Sequence, residues 1–342
     1  MGTKITELLE SKEMFIDDLK GKVIVVDAFN QLYMFLASIR QPDGSLLKDS
    51  QGNVTSHLNG LFYRFTKLMQ HDIRFVFVFD GKPPELKLKE RERRAALKHE
   101  AELRYEQAKS EENVEEMKKY AARTSKLTKD MIADAKELID ALGFPIIQAP
   151  SEGEAQAALL VKQKAAYASL SQDADSLIFG CPLVVKNLTL SGRKKLPNKL
   201  SYDTISPELL SLQDTLATLG IDLDQLIVIA MLTGTDYNIG GIKGIGHKTA
   251  LKLVREFNHD FERLFAQVKW DESFPFSWKE VFDVIKHTQT TDDYHLDFKD
   301  VDDEKVVEVL CAKHDFNEER VRKILETLHK KPAAQKGLGD WF

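Results

Sequence analysis

The chain predicts an α/β fold with a mostly parallel central sheet and helices on both faces. Four short apolar runs are separated by helical patterns, the alternation that builds parallel sheets. Each of the four runs leads into acidic residues. After the second run the composition changes abruptly to charged helix formers, which marks an insertion rather than another layer of the core.

The first run, Lys22-Val-Ile-Val-Val26, ends on Asp27, and the second, Ile73-Arg-Phe-Val-Phe-Val-Phe79, ends on Asp80. Short β-branched and aromatic runs of this kind read as buried strands. Ile146-Ile-Gln148 precedes Pro150-Ser-Glu-Gly-Glu154, and Ala166-Tyr-Ala-Ser-Leu170 precedes Ser171-Gln-Asp-Ala-Asp175. Helical patterns fall at residues 30–40, 56–70, 129–142 and 154–164. Open parallel sheets bind ligands beyond the carboxyl ends of their strands, so four acid-bearing strand ends predict a single site there.

Residues 81–129 form the insertion. Between Lys82 and Arg104 it carries eight Lys or Arg against five Glu, a basic excess in a chain of net charge −6. A mostly polar helix pair is expected, either a solvated arm, a coiled-coil fragment or an arch that handles substrate. Further on, the basic stretch 191–199 reads as a turn between strands at 183–190 and from Ser201 onward. From Ser206 the chain reads as helical, and Gly240-Gly-Ile-Lys-Gly-Ile-Gly246 opens a helix at His247. Trp270 and Trp278 are expected core anchors. There is no internal repeat and no Gly/Ser linker, so residues 1–330 are expected to form one body, with a polar tail at 331–342.

Bulk properties narrow the function class. A hydrophobic content of 43% is ample for a core. No apolar run approaches twenty residues and no secretory signal opens the chain, so neither a membrane span nor export is expected. Met1-Gly2 fits the loose myristoylation pattern, but no second membrane signal accompanies it. Cys181 and Cys311 are far apart and outside any ligand spacing, which suits a reducing cytoplasm without disulfides or zinc.

Asp27, Asp80, Glu152, Glu154, Asp173, Asp175 and Asp236 form the acid set. Each has an ordinary explanation: Ser151-Glu-Gly-Glu154 is also a capping box, Asp173 fits a helix cap and Asp236 an Asx turn. Caps do not explain acids at four successive strand ends. Converging carboxylates repel one another unless cations compensate, and no Lys or Arg lies within either acidic burst. Hard oxygen donors favour magnesium or manganese. Two such ions about 4 Å apart can clamp the attacking and departing oxygens of a phosphodiester. In this scheme Ser151 caps its helix while Glu152 and Glu154 face the metals.

Lys87 and Arg94 are two helical turns apart and share a face, from which they can hold a scissile phosphate; a solvated charged face is the ordinary alternative. Gly241-Ile-Lys-Gly-Ile-Gly246, with Lys248 following, has the form of a helix-hairpin-helix turn over about 225–260. Small residues there let the backbone approach a phosphate at the next helix's amino end. The pattern lacks a P-loop's Gly-Lys-Ser/Thr. Two other readings remain open: a phosphomonoesterase with Asp27 as nucleophile, and a non-catalytic DNA-binding adaptor, which leaves the acids unexplained.

The chain resembles the archaeal members of the structure-specific 5′ nuclease family, the flap endonucleases. The resemblance runs nearly end to end through Val26-Asp-Ala28, Thr55-Ser-His57, Val78-Phe-Asp-Gly-Lys-Pro-Pro84, Ala149-Pro-Ser-Glu-Gly-Glu-Ala155, Ser171-Gln-Asp-Ala-Asp175, Gly234-Thr-Asp-Tyr237 and the glycine-rich turn. It implies a magnesium-dependent enzyme, with manganese as a substitute, that removes 5′ flaps from branched DNA in replication and repair and also has 5′-3′ exonuclease activity. By matching motifs, Asp27, Asp80, Glu152 and Glu154 serve a first metal and Asp173, Asp175 and Asp236 a second. Lys87 and Arg94 match cations at the scissile phosphate, and Tyr33 an aromatic that stacks on a base. Gly241, Lys243, Gly244, Gly246 and Lys248 match a duplex-binding turn that also holds a potassium ion. Gln335, Leu338, Trp341 and Phe342 match a sliding-clamp interaction box. A cytoplasmic monomer without membrane association is implied.

Overall fold

Five neighbouring parallel strands form most of the sheet: β2 (Val23–Asp27), β3 (Arg74–Phe79), β4 (Ile146–Gln148), β5 (Ala168–Leu170) and β6 (Leu183–Lys186). Antiparallel β9 (Glu208–Ser211) and the two-residue β1 (Lys12–Glu13) extend one edge, giving the order β1-β9-β6-β5-β2-β3-β4. The computed structural model describes residues 4–111, 113, 115–116, 120, 126–172, 175–190, 192–195 and 202–329.

Period-two alternation explains the two cores. Val25, Val76 and Val78 point to one face, where helix Gly153–Lys162 covers them and helix Leu223–Thr233 belongs to the same apolar core. Ile24, Val26, Phe75, Phe77 and Phe79 point to the other, against Phe35, Phe62, Phe65 and Leu138. Helices lie on both faces as expected, because strands buried on both sides need cover on both. Helix Leu223–Thr233 is buried along most of its length from Gln225 onward, as its apolar composition requires.

Strand order creates the crevice that matters for function. From β2 the chain builds outward through β3 and β4, then returns to the opposite side of β2 for β5 and β6. Register aligns Val26 with both Phe77 and Leu170, so the strand exits lie side by side at the topological switch point.

The insertion begins with helix Leu88–Ser110, 23 residues and roughly 35 Å long at 1.5 Å per residue. Its apolar side chains Leu88, Leu97 and Leu103 are exposed, while Ala101 and Ala108 are covered. Most of 112–125, where a second arch helix is expected, lies outside the described residues, as do 330–342 with Gln335, Leu338, Trp341 and Phe342.

Three details differ from the sequence expectation. The strand expected through Leu190 stops at Lys186, because Asn187 takes a left-handed φ of +61° and Leu188–Leu190 curls into a 3₁₀ turn. Within the basic stretch, residues 192–195 are strand β7 (Gly192–Lys195), paired antiparallel with β8 (Tyr202–Ile205), while 191 and 196–199 lie outside the described residues. The chain after Ser206 first forms β9 before turning helical at Leu212. A strand with two apolar residues, Leu209 and Leu210, is too short to show a period of two. Trp270 is fully buried as expected, whereas Trp278 is half-buried, stacked on Phe265 at 4.7 Å.

Candidate active site

Asp27 ends β2 and also caps the helix that follows: its Oδ1 accepts the Asn30 N–H at 3.0 Å. One side chain thus closes a helix terminus and faces the crevice. Asp80 follows β3 and is tied to β4 through backbone bonds, Gly81 N–H to Ser151 O at 2.6 Å and Ala149 N–H to Phe79 O at 2.9 Å. The Gln148 amide adds a bond to Asp80 O at 2.6 Å. These links bring Asp80 beside Glu152 even though 72 positions separate them in sequence.

Ser151, the expected cap of helix Gly153–Lys162, does not cap it. Glu152 occupies the N-cap position without a capping side-chain bond, and the Gly153 N–H donates to Asp80 Oδ1 at 2.6 Å. The helix end is capped from another strand, so the same contact satisfies an orphan donor and orients a site acid.

Lys87 reaches in from the base of the arch. Its Nζ lies 2.5 Å from Glu152 Oε2 and 3.4 Å from Asp236 Oδ2, and 5.5 Å from the Tyr237 ring centroid. Arg94 Nη2 donates to Asp236 Oδ1 at 2.6 Å. The two cations share a face as their spacing predicts, and both reach Asp236, Lys87 largely covered and Arg94 still half exposed. Tyr33, on helix Ala28–Ser38, is 46% exposed and close enough to Arg94 to feel its charge.

Burial governs the electrostatics. It pushes the Asp27 carboxyl up to about 7, with Asp80 adding to the rise and the Asn30 N–H opposing it. Asp80 and Glu152 are likewise raised by burial, against the Gly153 N–H in one case and Lys87 in both. Burial also disfavours the Lys87 ammonium, but Glu152, Tyr237 and Asp236 outweigh it and hold Lys87 above the ordinary lysine value.

Glu154 lies near this group, within reach of Tyr237, and Ser171 Oγ approaches it at 3.5 Å. Asp175 begins a short helix after β5. Asp173 lies outside the described residues. Among the described residues no three His, Cys, Asp or Glu side chains form a ready-made ligand set; in the centre of the cluster the acids surround Lys87. The donors nonetheless fit a hard divalent cation: all are carboxylate oxygens, and burial raises Asp27, Asp80 and Glu152 above the ordinary carboxylate range, a cost that a bound cation would offset.

Beyond the acids, helices Leu223–Thr233 and His247–Phe257 flank the glycine-rich turn. Ile242 N–H donates to Leu232 O at 2.9 Å, folding the turn back on the first helix. Gly241 and Gly244 have φ of +62° and +84°, and Gly246 is the N-cap of the second helix. Lys243 and Lys248 are exposed on this end.

Two further residues of the site have no role assigned from sequence, although Tyr237 closes the motif Gly234-Thr-Asp-Tyr237. Tyr237 is buried behind Lys87, and Glu90 is buried in the arch beside Arg93 and Arg94. The i+3 and i+4 spacing of Glu90 to those arginines is the available signal.

Acids at the carboxyl edge of a parallel sheet, a cationic helix over them and a helix-hairpin-helix beside them define the class of a phosphodiester-cleaving nuclease. Residues 4–101 match the XPG N-terminal domain and residues 143–236 the XPG I-region. Flap endonuclease 1 of Thermococcus onnurineus is 46% identical, with 100% of this chain and 99% of that protein covered. The same protein from Pyrococcus abyssi is 47% identical, covering 100% and 98%. The solved flap endonuclease-1 from Methanococcus jannaschii superposes with a TM-score of 0.73 at 40% identity, over 96% of this chain and 98% of that one. The chain belongs to the flap endonuclease 1 family.

Proposed function

We propose that the protein is a structure-specific 5′ flap endonuclease, with 5′-3′ exonuclease activity, that acts in replication and repair and depends on two magnesium ions. The observation that carries this reading is the convergence of Asp27, Asp80, Glu152 and Asp236 on one crevice, with Lys87 and Arg94 entering from the arch. Asp27, Asp80, Glu152 and Glu154 are assigned to one ion and Asp173, Asp175 and Asp236 to the other, with manganese as a substitute. Bound there, the ions supply an activated water and stabilise the charge that develops on the phosphate.

The chain's own groups position the substrate. The Lys87 ammonium and the Arg94 guanidinium, both reaching the acids from the arch, stand where they would offset charge that develops on a scissile phosphate. Tyr33 offers an exposed ring for a base to stack on. The positive-φ glycines and the helix end at Gly246 let duplex phosphates approach backbone N–H groups, with Lys243 and Lys248 adding charge. A potassium ion at this turn, a sliding clamp bound through Gln335, Leu338, Trp341 and Phe342, a monomeric state and a cytoplasmic location complete the proposal.

The test incubates protein and magnesium with end-labelled 5′-flap, duplex and single-stranded DNA, with Asp175→Ala in parallel. Release of the flap by the unmodified protein alone is expected. DNA binding without cleavage by either protein would instead indicate a non-catalytic adaptor.

A further inference from the structure

The helix that carries Arg94 is solvated along most of its length, yet one of its acids is not. Glu90 is 4% exposed at its side chain, against 36% for Arg93 and 47% for Arg94. It accepts Arg93 Nε at 2.7 Å, Arg93 Nη2 at 2.8 Å and Arg94 Nε at 2.6 Å. Ordinary i,i+3 and i,i+4 pairs on a helix surface are exposed and worth little. A buried carboxylate shared by two guanidiniums is a different arrangement, because a charge taken out of water must be matched by nearly ideal partners.

We infer that Glu90 is a positioning residue that fixes the plane of the Arg94 guanidinium for the cleavage reaction. The inference rests on the reading of Arg94 as a group that meets the scissile phosphate. A guanidinium presents its five N–H donors in one rigid fork, so holding two of its nitrogens sets the whole plane. Here Glu90 holds Nε and Asp236 holds Nη2 at 2.6 Å. If Asp236 turns to a cation, the Glu90 bond to Nε is the one of these two that remains, and it tethers the guanidinium at the crevice while Nη2 becomes available to a phosphate. Sharing one carboxylate between two arginines also leaves a net positive charge for the phosphate. Bonding from Arg93 holds the Glu90 carboxyl below its ordinary range, with burial opposing and Arg94 assisting, so the anchor stays ionised near neutral pH.

The test is a double-mutant cycle on flap DNA, using Glu90→Gln, Arg94→Ala and the double variant. Single-turnover rates, flap dissociation constants and amide exchange across residues 88–110 are measured for each. Glu90→Gln is expected to lower the single-turnover rate by up to about a hundredfold, the scale of a misplaced catalytic group. Its dissociation constant and amide exchange should stay close to those of the unmodified protein, and the double variant should be no slower than Arg94→Ala. A Glu90→Gln loss that persists in full on the Arg94→Ala background, or that accompanies faster exchange along the helix, assigns Glu90 a structural role and overturns the inference. A normal rate for Glu90→Gln beside an impaired Arg94→Ala overturns it while leaving the Arg94 reading intact. An unimpaired Arg94→Ala removes that reading and the inference together.

Discussion

The Lys87 ammonium stands inside the carboxylate cluster, 2.5 Å from Glu152 and 3.4 Å from Asp236. A side chain from the arch therefore supplies positive charge that the crevice needs. Lysine and metal cannot both pair fully with the same oxygens, so the two should compete. Lys87→Gln is expected to bind Mn²⁺ about tenfold more tightly in the DNA-free protein, about 1.4 kcal/mol by calorimetry. Its flap cleavage should fall by about a hundredfold or more, the cost of losing a transition-state charge partner. Unchanged or weaker Mn²⁺ binding would show that the ammonium does not compete.

Gly153→Ala separates stability from activity. Gly153 lacks a positive φ, and alanine favours a helix by about 1 kcal/mol over glycine. The added Cβ would stand 2.7 Å from Asp80 Oδ1, so the carboxylate must swing away from its place. Thermal unfolding should shift by no more than about 1 kcal/mol in either direction, while single-turnover cleavage drops at least about tenfold. Retained cleavage would mean that the Asp80 orientation is not critical.

Gly241 and Gly244 share a left-handed backbone but not the same surroundings. A Cβ at Gly241 would lie 2.4 Å from Leu232 O, whereas nothing stands within 4 Å of one at Gly244. Gly244→Ala should cost about 1–2 kcal/mol from backbone strain alone. Gly241→Ala should cost more, because the clash is with backbone that cannot rotate away. Urea unfolding of the two variants decides the matter, and equal costs would contradict the packing of this turn.

Asp27 makes stability depend on pH in the direction opposite to a salt-bridged acid. Its folded pKa of about 7 lies above the ordinary 3.8, so the folded chain binds more protons than the unfolded chain between those values. Its contribution is therefore neutral below about pH 4, becomes increasingly destabilising as pH rises toward 7, and is constant above. Asp27→Asn keeps an oxygen for the Asn30 N–H and cannot ionise. In chelator it should exceed the unmodified protein in stability by a few kcal/mol at pH 8, with the gap closing toward pH 4. The scale is about 1.4 kcal/mol for each pH unit that separates the folded from the unfolded pKa. A gap independent of pH in urea titrations would be the contrary result.

Deleting residues 335–342 should leave cleavage of naked flap DNA unchanged and abolish stimulation by a sliding clamp, since adjacent aromatics are effective anchors for a partner pocket. Loss of basal cleavage would show that the tail belongs to the fold.

Much of the site is legible in sequence because strand ends are local features. β2 and β3 can be read from their continuous β-branched and aromatic runs, and Asp27 and Asp80 from their positions at the ends of those runs. Legibility fails where a local rule is overridden from a distance. Ser151-Glu-Gly-Glu154 satisfies the capping-box pattern, yet Asp80 takes the Gly153 N–H because β3 and β4 are neighbours. Glu90 looks like one of many arch charges, since its i+3 and i+4 arginines are ordinary helix pairs until burial sets them apart. β9 escapes notice because four residues between a loop and a helix carry too little pattern.

By itself the sequence determined the fold class, the donor chemistry of the acids and the form of the glycine-rich turn, because periodicity, residue type and short spacing act over a few neighbouring positions. Tertiary structure decided which partners those residues meet: Lys87 reaches Glu152 across 65 positions and Arg94 reaches Asp236 across 142. Such contacts depend on the strand order and on how the arch is seated. No local preference encodes them, and only the packed sheet brings the acids and their cations into one low-dielectric crevice where their charges govern one another.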